Sequence, residues 1–344
     1  MNHNNNKPLP ITILISVAMV LGLSLIYILT TKANEPAPSF SPPVDNLDWM
    51  LGRFGDYLSV YYENLETGFV YRHNADNEYF SASVPKAIFA LYIFQKAELG
   101  EVDLDSLVTF LYEDYWGGSG VIRHTSYFGD TFTQRELLRL NISESDNIAT
   151  LMLRRVHGLY GYTQFIREIG GTPGFIRERV FNSQLTANEA GLFARQIFRF
   201  IESGGRYSQE FKSHLLDNQF PFIVSDYPVA SKTGWNRPTA WHDMAIVYAP
   251  SPFILVILSA REGWADEDYE DFAEISRTFQ QFNDTWFAAP IQTPEPVLEN
   301  QGSVVLPGAD NNQISEWIDY LMIAGIVVLG LLFLLWGYRR YMRG

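Results

Sequence analysis

The sequence predicts an α+β domain whose antiparallel sheet is built from both ends of the domain, with a helical subdomain between them. Strand-like segments occur near the start, at 57–63 and 69–73, and near the end, at 229–232, 244–249 and 253–260. The stretch between them carries helix-start signals. Strands from both termini with helices inserted between them are typical of this architecture.

The first two strands should pair as a hairpin, because the turn-forming segment 64–68, Asn-Leu-Glu-Thr-Gly, separates them. A helix is then expected over 85–99, with proline at its first position and Gly100 after its last. Another helix should follow Asp146 and extend to about residue 157. Two more helix starts have capping-box spacing: Thr133 with Glu136, and Thr186 with Glu189.

Near the end of the domain, two strands are expected on either side of Pro250-Ser251-Pro252, and the triplet 232–234 should end the strand before them. Apolar side chains at helical spacing then predict a last helix with one core-facing stripe. The stripe consists of Tyr269, Phe272, Ile275, Phe279 and Phe282.

Composition excludes several classes of function. The chain has 344 residues and a formal net charge of −14, which opposes nucleic-acid binding. It contains no cysteine, which excludes disulfides, thiolate metal sites and a lipoprotein anchor. No pair among its six histidines has metal-ligand spacing. We therefore expect no metal, no cofactor and no nucleic-acid partner.

Two apolar runs predict membrane-spanning helices at 11–30 and 317–338, since about 20 apolar residues cross a bilayer as a helix. Arginines at 339, 340 and 343 follow the second run and favour a cytoplasmic C-terminus. Both termini would then be cytoplasmic, and the residues between the runs would lie outside the cytoplasm. A cleaved signal peptide ending near 31–33 is the alternative for the first run.

The expected organisation is that of a two-pass protein of the cell membrane. Its segments are a short cytoplasmic N-terminus (1–10), a signal-anchor helix (11–30), a proline-rich linker (31–46), the folded domain (47–288), a proline-rich acidic linker (289–316), a second membrane helix (317–338) and a basic cytoplasmic tail (339–344).

Three short motifs occur once each, in order. They are Ser83-Val84-Pro85-Lys86 at the start of a predicted helix, Ser145-Asp146-Asn147 before another helix, and Lys232-Thr233-Gly234 at a strand end. Serine and lysine three residues apart on a helix share one face, and a lysine without its proton can activate the hydroxyl as a nucleophile. Each motif alone is usually an N-cap, a turn or a solvated strand end. All three in these settings predict a serine nucleophile at Ser83.

The motifs and their surroundings resemble the serine β-lactamases and penicillin-recognising D,D-peptidases, most closely class A β-lactamases. The similarity covers nearly all of residues 47–285. Beyond the motifs it is carried by the segments 60–68, 80–86, 118–120, 133–138 and 242–247. It implies the β-lactamase/D,D-peptidase (transpeptidase-like) fold.

By that resemblance, Ser83 attacks the carbonyl of a β-lactam or a D-alanyl peptide. Lys86 is the candidate base, and Ser145 passes a proton to the leaving nitrogen. The backbone N–H groups of Ser83 and Trp235 would form the oxyanion hole.

The same resemblance implies the residues that bind substrate. Asn147 would hold Lys86 and bond the substrate amide, while Lys232 and Thr233 would grip the substrate carboxylate. Gly234 would leave room for an extended substrate beside the strand. Asp146 is expected to be structural rather than catalytic.

Class A β-lactamases also use a glutamate on a long loop, which activates the water that hydrolyses the acyl-enzyme. The corresponding loop here, 174–185, is short, and Glu178 is its only glutamate. Glu178 keeps the family's E-x-x-x-N spacing to Asn182 and is therefore the candidate. The arginines on either side of Glu178 suggest an ordinary solvated ion pair as the alternative.

The leading hypothesis is a membrane-anchored serine hydrolase that forms an acyl-enzyme at Ser83 with β-lactams or related cell-wall amides. One alternative is a D,D-carboxypeptidase or penicillin-binding protein with slow deacylation. Another is a non-hydrolytic membrane sensor or binding module. The expected partners are a β-lactam or peptidoglycan-type peptide and the lipid bilayer, and the sequence leaves the oligomeric state open.

Overall fold

A computed structural model describes residues 42–172, 183–236, 240–260 and 267–288. Both predicted membrane helices, the acidic linker after the domain and Glu178 lie outside these residues. Within the described ranges, none of the helices combines the length and the apolar character that a membrane crossing requires.

The strands of the described residues are β1 (Leu58–Asn64), β2 (Val70–His73), β3 (Tyr79–Phe80), β4 (Leu107–Thr109), β5 (Thr131–Thr133), β6 (Gln184–Leu185), β7 (Val229–Asn236), β8 (Ala240–Val247) and β9 (Phe253–Ser259). Five of them form one antiparallel sheet in the spatial order β2-β1-β9-β8-β7. β3 pairs with β6 and β4 pairs with β5, again antiparallel. The main sheet therefore takes two strands from the start of the domain and three from its end, which confirms the predicted α+β architecture.

The helices are α1 (Asp45–Gly52), α2 (Pro85–Glu98), α3 (Ile122–Thr125), α4 (Gln134–Ser143), α5 (Asn147–His157), α6 (Tyr160–Glu168), α7 (Ala187–Glu202), α8 (Ser208–Leu216) and α9 (Glu267–Trp286). The helices α2 to α8 all lie between β3 and β7 in sequence and make up the predicted helical subdomain. The helix α1 begins inside the segment that we expected to be linker.

Two apolar cores cover the two faces of the main sheet. One contains side chains of α2 and α4 to α8 and the other contains side chains of α1 and α9. Because side chains alternate along a strand, Lys232 and Gly234 share the face of Ala230, which lies in the first core. Lys232 and Gly234 thus face the helical subdomain, and the first residues of α2 lie against them.

Several sequence expectations are wrong in detail. The triplet 232–234 does not end its strand, because β7 continues to Asn236. The next strand begins at Ala240 rather than at residue 244, and its early residues include a buried histidine and a buried aspartate. Tyr269 is 47% exposed, so the apolar stripe of α9 starts one turn later than predicted.

Both predicted capping boxes are half formed. The hydroxyls of Thr133 and Thr186 accept hydrogen bonds from the backbone N–H groups of Glu136 and Glu189, each at 3.1 Å. The glutamate side chains bind elsewhere: the first pairs with an arginine of its own helix, and Glu189 accepts from the N–H of Thr172 at 2.6 Å. Glu189 therefore holds the chain at Thr172, the last described residue before the segment 173–182.

Candidate active site

Ser83 lies two residues before α2, and the segment that precedes it is held by hydrogen bonds to Ser183. The N–H of Ser81 donates to the carbonyl of Ser183 at 2.9 Å, and the Ser183 hydroxyl donates to that of Ser81 at 2.8 Å. Ala82 has a φ of +46°, a left-handed conformation that L-residues other than glycine seldom adopt. Such strain persists where the surroundings over-determine the backbone, as the β3–β6 pair does here.

Lys86, the second residue of α2, is 1% exposed, and three oxygen atoms surround its amine. Its Nζ donates to the Ser145 carbonyl at 2.5 Å, to Asn147 Oδ1 at 2.7 Å and to Ser145 Oγ at 3.3 Å. Burial lowers the pKa of Lys86 well below its usual range, and the positive charge of Lys232 lowers it further, against a smaller opposing effect of Asp146. This shift favours the neutral amine, the form that can accept a proton.

Asp146 holds the second motif in place. Its Oδ1 caps α5 by accepting from the N–H groups of Ile148 and Ala149 at 2.8 and 3.0 Å. Its Oδ2 accepts from the N–H groups of Val121 and Ile122 at 2.7 and 2.9 Å. The expected structural role of Asp146 fits these four bonds, which join the start of α5 to the start of α3.

The turn around Ser145 and Asp146 leaves no room for a side chain at Gly120. Gly120 has a φ of +115°, and a Cβ there would lie 2.3 Å from the Asp146 carboxylate. Ser145 itself has a φ of +51°. Asn147 completes the turn by donating from Nδ2 to the Gly117 carbonyl at 2.8 Å while its Oδ1 accepts from Lys86. The glycine segment before α3, residues 117–120, thus packs directly against the second motif.

The third motif lies inside β7, where both of its polar side chains are buried. Lys232 is fully buried and its Nζ donates to the Thr233 carbonyl at 2.7 Å. The Thr233 hydroxyl donates to the Phe220 carbonyl at 2.7 Å and accepts from Asn218 Nδ2 at 2.9 Å. This differs from the sequence expectation, because the Thr233 hydroxyl is bonded to the segment after α8 rather than turned toward a substrate.

Gly234 lies against the backbone of the predicted nucleophile. A Cβ at Gly234 would lie 2.9 Å from the backbone nitrogen of Ser83 and 3.0 Å from that of Val84. Real Cβ atoms essentially never approach backbone atoms that closely. The glycine is therefore needed for the contact between β7 and the start of α2, a reason different from the substrate clearance that the sequence suggested.

We expect Gly234→Ala to lower the free energy of unfolding by about 1–3 kcal/mol, since a side chain forced into a well-packed contact displaces its neighbours at a cost of that size. The measurement is urea unfolding followed by tryptophan fluorescence. Gly52→Ala is the matched control, because a Cβ at Gly52 would meet nothing within 4 Å. A Gly234→Ala variant as stable as Gly52→Ala would contradict the close approach.

A buried histidine ties β8 to the segment that leads to Ser83. His242 Nε2 bonds the Phe80 carbonyl at 2.8 Å, and Nδ1 accepts from the N–H of Ser259 at 3.2 Å. Because a carbonyl only accepts, the proton of the neutral ring is on Nε2. Burial lowers the pKa of His242 to about 4, partly opposed by hydrogen bonds to the backbone, so this neutral form persists at physiological pH.

These elements surround an open cleft of about 750 Å³. Four of the predicted residues line it, namely Ser83, Lys86, Asn147 and Trp235. The sequence did not point to three further lining residues, Trp116, Arg123 and Phe220. Trp116 directly precedes the glycine segment and could have been suspected, whereas the other two reach the cleft only through tertiary packing.

The described lining of the cleft contains no acidic side chain. In a chain with a net charge of −14, the ionisable side chains in the described lining around Ser83 are thus both basic, Arg123 and Lys86. The structure thus brings together Ser83, Lys86, Ser145 and Asn147 with the β7 motif. Across the described ranges, no group of three His, Asp or Glu side chains is arranged to hold a metal ion.

A sequence profile described as the beta-lactamase enzyme family matches residues 43–282. No curated protein sequence is significantly similar to the chain. Several solved structures are similar to it in fold. A beta-lactamase from Sphaerobacter thermophilus shares 18% identity with a TM-score of 0.64, covering 71% of this chain and 99% of that one.

Two further solved structures show the same likeness. A beta-lactamase from Chitinophaga pinensis shares 20% identity with a TM-score of 0.60, covering 69% of this chain and 97% of that one. PBP-A shares 18% identity with a TM-score of 0.63, covering 71% and 98%. At these identities the likeness shows a shared fold and nothing more.

Proposed function

Because the chain belongs to the beta-lactamase enzyme family, serine hydrolases that act on amide bonds, we propose that Ser83 is acylated by β-lactams or related amides of the cell wall. The observation that carries the proposal is the Lys86 amine. It is buried one turn from Ser83, its pKa is lowered by burial, and it is bonded to both Ser145 and Asn147. A lysine held in this way serves as a base.

In the proposed reaction, Ser83 Oγ attacks the amide carbonyl and its proton passes to Lys86. The negative charge on the carbonyl oxygen is held by the N–H groups of Ser83 and Trp235. The closeness of β7 to the Ser83 nitrogen supports this pairing. The carbon–nitrogen bond then breaks, and Ser145, 3.3 Å from the Lys86 amine, passes the proton to the leaving nitrogen. The product is an ester of Ser83.

Substrate binding is assigned to the same groups. The Lys86-bound Asn147 faces the cleft and can donate its remaining amide hydrogen to a substrate carbonyl. Lys232 supplies positive charge for a substrate carboxylate. Thr233 is left out of the direct contacts, because its hydroxyl is already bonded to Phe220 and Asn218.

The fate of the ester depends on a water-activating base, for which Glu178 is the proposed residue. A D,D-peptidase or penicillin-binding protein with slow deacylation is the second candidate. It is retained because the chain is as similar in fold to PBP-A as to the beta-lactamases. A PBP-A variant is described as an acyl-enzyme complex with penicillin G. The positions of catalytic groups are compatible with either outcome, and the two differ only after acylation.

The test uses the full chain in detergent with a chromogenic β-lactam and with penicillin followed by mass spectrometry. The proposal requires a single penicilloyl adduct on the peptide that contains Ser83, absent in Ser83→Ala. No adduct, or an adduct elsewhere, overturns it. Rapid turnover that is lost in Glu178→Ala, but not in the exposed-glutamate control Glu168→Ala, identifies a β-lactamase. A persistent adduct without turnover identifies a penicillin-binding enzyme.

We place the domain outside the cytoplasm, between membrane helices at 11–30 and 317–338. The support is the length of the two apolar runs and the arginines that follow the second. In cells that express the chain, a membrane-impermeant fluorescent penicillin should label Ser83 without permeabilisation of the cytoplasmic membrane. Labelling only after that membrane is permeabilised would contradict the proposed topology.

Acylation by penicillin should slow at alkaline pH because Lys232 loses its charge. Burial lowers the pKa of Lys232 to about 7, partly opposed by the Asp243 carboxylate. Below this value the ammonium attracts the substrate carboxylate, and above it the neutral amine does not. The second-order rate constant should therefore fall above about pH 7 in the wild type. Lys232→Arg, whose guanidinium stays charged, should keep its rate to about pH 9.

The control for this profile is a penicillin methyl ester, which carries no carboxylate. Its acylation rate should not show the alkaline fall in the wild type. If the ester and the acid fall together, the titration belongs to another group, and Lys232 is not the carboxylate anchor.

A further inference from the structure

The surface next to the cleft carries a concentration of exposed aromatic side chains. Six of the sixteen exposed large apolar residues in the described ranges lie between positions 107 and 128. Three of these form a cluster in which Phe128 is in ring contact with both Tyr112 and Tyr115. We call the three the aromatic rim. They are 81%, 50% and 52% exposed. Clusters of exposed apolar residues mark binding surfaces more often than scattered ones do.

Phe128 is the centre of the aromatic rim. Its ring centroid lies 5.4 Å from that of Tyr112 and 6.1 Å from that of Tyr115, at interplanar angles of 61° and 75°. Beneath it, the buried Phe110 ring lies 4.9 Å away and anchors it. Rings in edge contact leave their faces available to a ligand, and the exposed fractions agree with this.

The backbone that carries the rim is held in place without a ligand. Asp114, which lies between the two tyrosines, is buried and pairs with Arg155 through two hydrogen bonds of 2.9 Å. Its carboxylate also accepts from the N–H of Leu111 at 3.0 Å. The turn of Phe128 is closed by a bond from the Gly129 N–H to the Phe110 carbonyl at 2.9 Å. A pre-organised surface loses little conformational entropy on binding.

The rim continues the wall of the cleft. Tyr115 is followed directly by Trp116 and Gly117, and both of these line the cleft together with Ser83. A substrate that is longer than the cleft and extends past Trp116 can therefore reach the rim. This argument rests on the proposed function, since it takes the cleft to be the site of the amide substrate.

We propose that the aromatic rim binds the glycan strand of the cell-wall polymer whose peptide branch is presented to Ser83. The C–H groups of a pyranose face carry partial positive charge and stack on the electron-rich face of an aromatic ring. The exposed carboxylates of Glu113 and Asp130 lie beside the rim and can accept hydrogen bonds from sugar hydroxyls. The same carboxylates repel anionic lipid headgroups, which disfavours a membrane surface as the occupant.

The test measures binding of the full chain in detergent to glycan strands from which all peptides have been removed by an amidase. The rim variant is Tyr112→Ser/Phe128→Ser. Its control is Tyr160→Ser/Trp49→Ser, which removes two aromatic residues that are 82% and 79% exposed elsewhere. The wild type and the control should bind equally, and the rim variant should bind about tenfold more weakly. The penicillin acylation rate should be the same in all three proteins.

Equal glycan binding by the wild type and the rim variant would overturn the proposal, as would binding that requires the peptide branches. A second measurement tests for the membrane. Because the chain has no cysteine, Tyr127→Cys beside the rim can carry a single environment-sensitive fluorophore. Its emission should shift when glycan is added, and a shift on transfer from detergent to an anionic bilayer would overturn the proposal instead.

The two proposals fail separately. Glycan binding is measured without any reaction at Ser83, so a chain that penicillin does not acylate would overturn the proposed function and leave this comparison intact. A chain that is acylated normally but binds glycan equally well with and without the rim would overturn the present proposal alone.

Discussion

Lys86→Met should slow acylation of Ser83 by penicillin by a factor of about 10² to 10⁴, the usual contribution of a positioned general base. Methionine has nearly the shape of lysine and fits the apolar part of the site, but it has no group that accepts a proton. The rate is measured as the second-order rate constant for a fluorescent penicillin. Lys86→Arg should be similarly slow, because the guanidinium stays protonated at any pH of interest.

Thermal unfolding of the same variants separates loss of chemistry from loss of structure. In the folded chain the pKa of Lys86 lies well below its usual value because of burial, so the folded state binds fewer protons than the unfolded state between the two values. The free energy of unfolding of the wild type therefore rises with pH across that window. In Lys86→Met this contribution is absent, so the free energy of unfolding of the variant should rise less with pH than that of the wild type.

An acylation rate within tenfold of the wild type in Lys86→Met would show that another group takes the Ser83 proton. Ser145 would then be the next residue to test, since its hydroxyl is the remaining predicted proton carrier beside the amine. A slow variant with a lowered thermal midpoint would instead indicate a structural effect. The acylation rate of Lys86→Arg would then be compared with that of the wild type.

The parts of the site that the sequence predicted are the parts that depend on local geometry. Ser83 and Lys86 come together because they are one turn apart on a helix, and the cap of α5 follows from Asp146 at its start. The sheet built from both ends of the domain could be predicted for the same reason, because local apolar runs and turn residues mark its strands.

The parts that the sequence did not predict depend on contacts between distant segments. The bond of the Thr233 hydroxyl to Phe220, and the need for glycine at position 234, arise where β7 meets the segment after α8 and the start of α2. β8 was predicted too short because buried His242 and Asp243 interrupt its apolar pattern. The hydrogen-bonded atoms His242 Nε2 and Asp243 Oδ2 have their partners on other segments. A single sequence carries no signal for such pairs.

The second large effect is expected on stability, from Asp146→Ala. The carboxylate accepts four backbone N–H bonds, and Asp146 is 1% exposed. An unsatisfied buried donor costs about 1–3 kcal/mol, so the free energy of unfolding should fall by at least about 3 kcal/mol even where water enters the gap. The measurement is urea unfolding of the full chain in detergent, followed by tryptophan fluorescence.

Thr133→Ala is the reference variant, with which the loss of stability in Asp146→Ala is compared. It removes one N-cap bond, to the N–H of Glu136, and should reduce the free energy of unfolding by about 1 kcal/mol. Asp146→Asn should fall between the two, because an amide keeps one accepting oxygen and turns a donor toward two of the four N–H groups. The free energy of unfolding should thus decrease in the order wild type, Thr133→Ala, Asp146→Asn, Asp146→Ala.

The loss of stability should be accompanied by loss of acylation, because Ser145 and Asn147, which hold the Lys86 amine, flank Asp146 in the same turn. The two effects have the same origin and should follow the same order among the variants. If Asp146→Ala were as stable as Thr133→Ala and yet failed to acylate, the structural role assigned to Asp146 would be wrong. The carboxylate would then act on the reaction itself, through its charge beside Lys86.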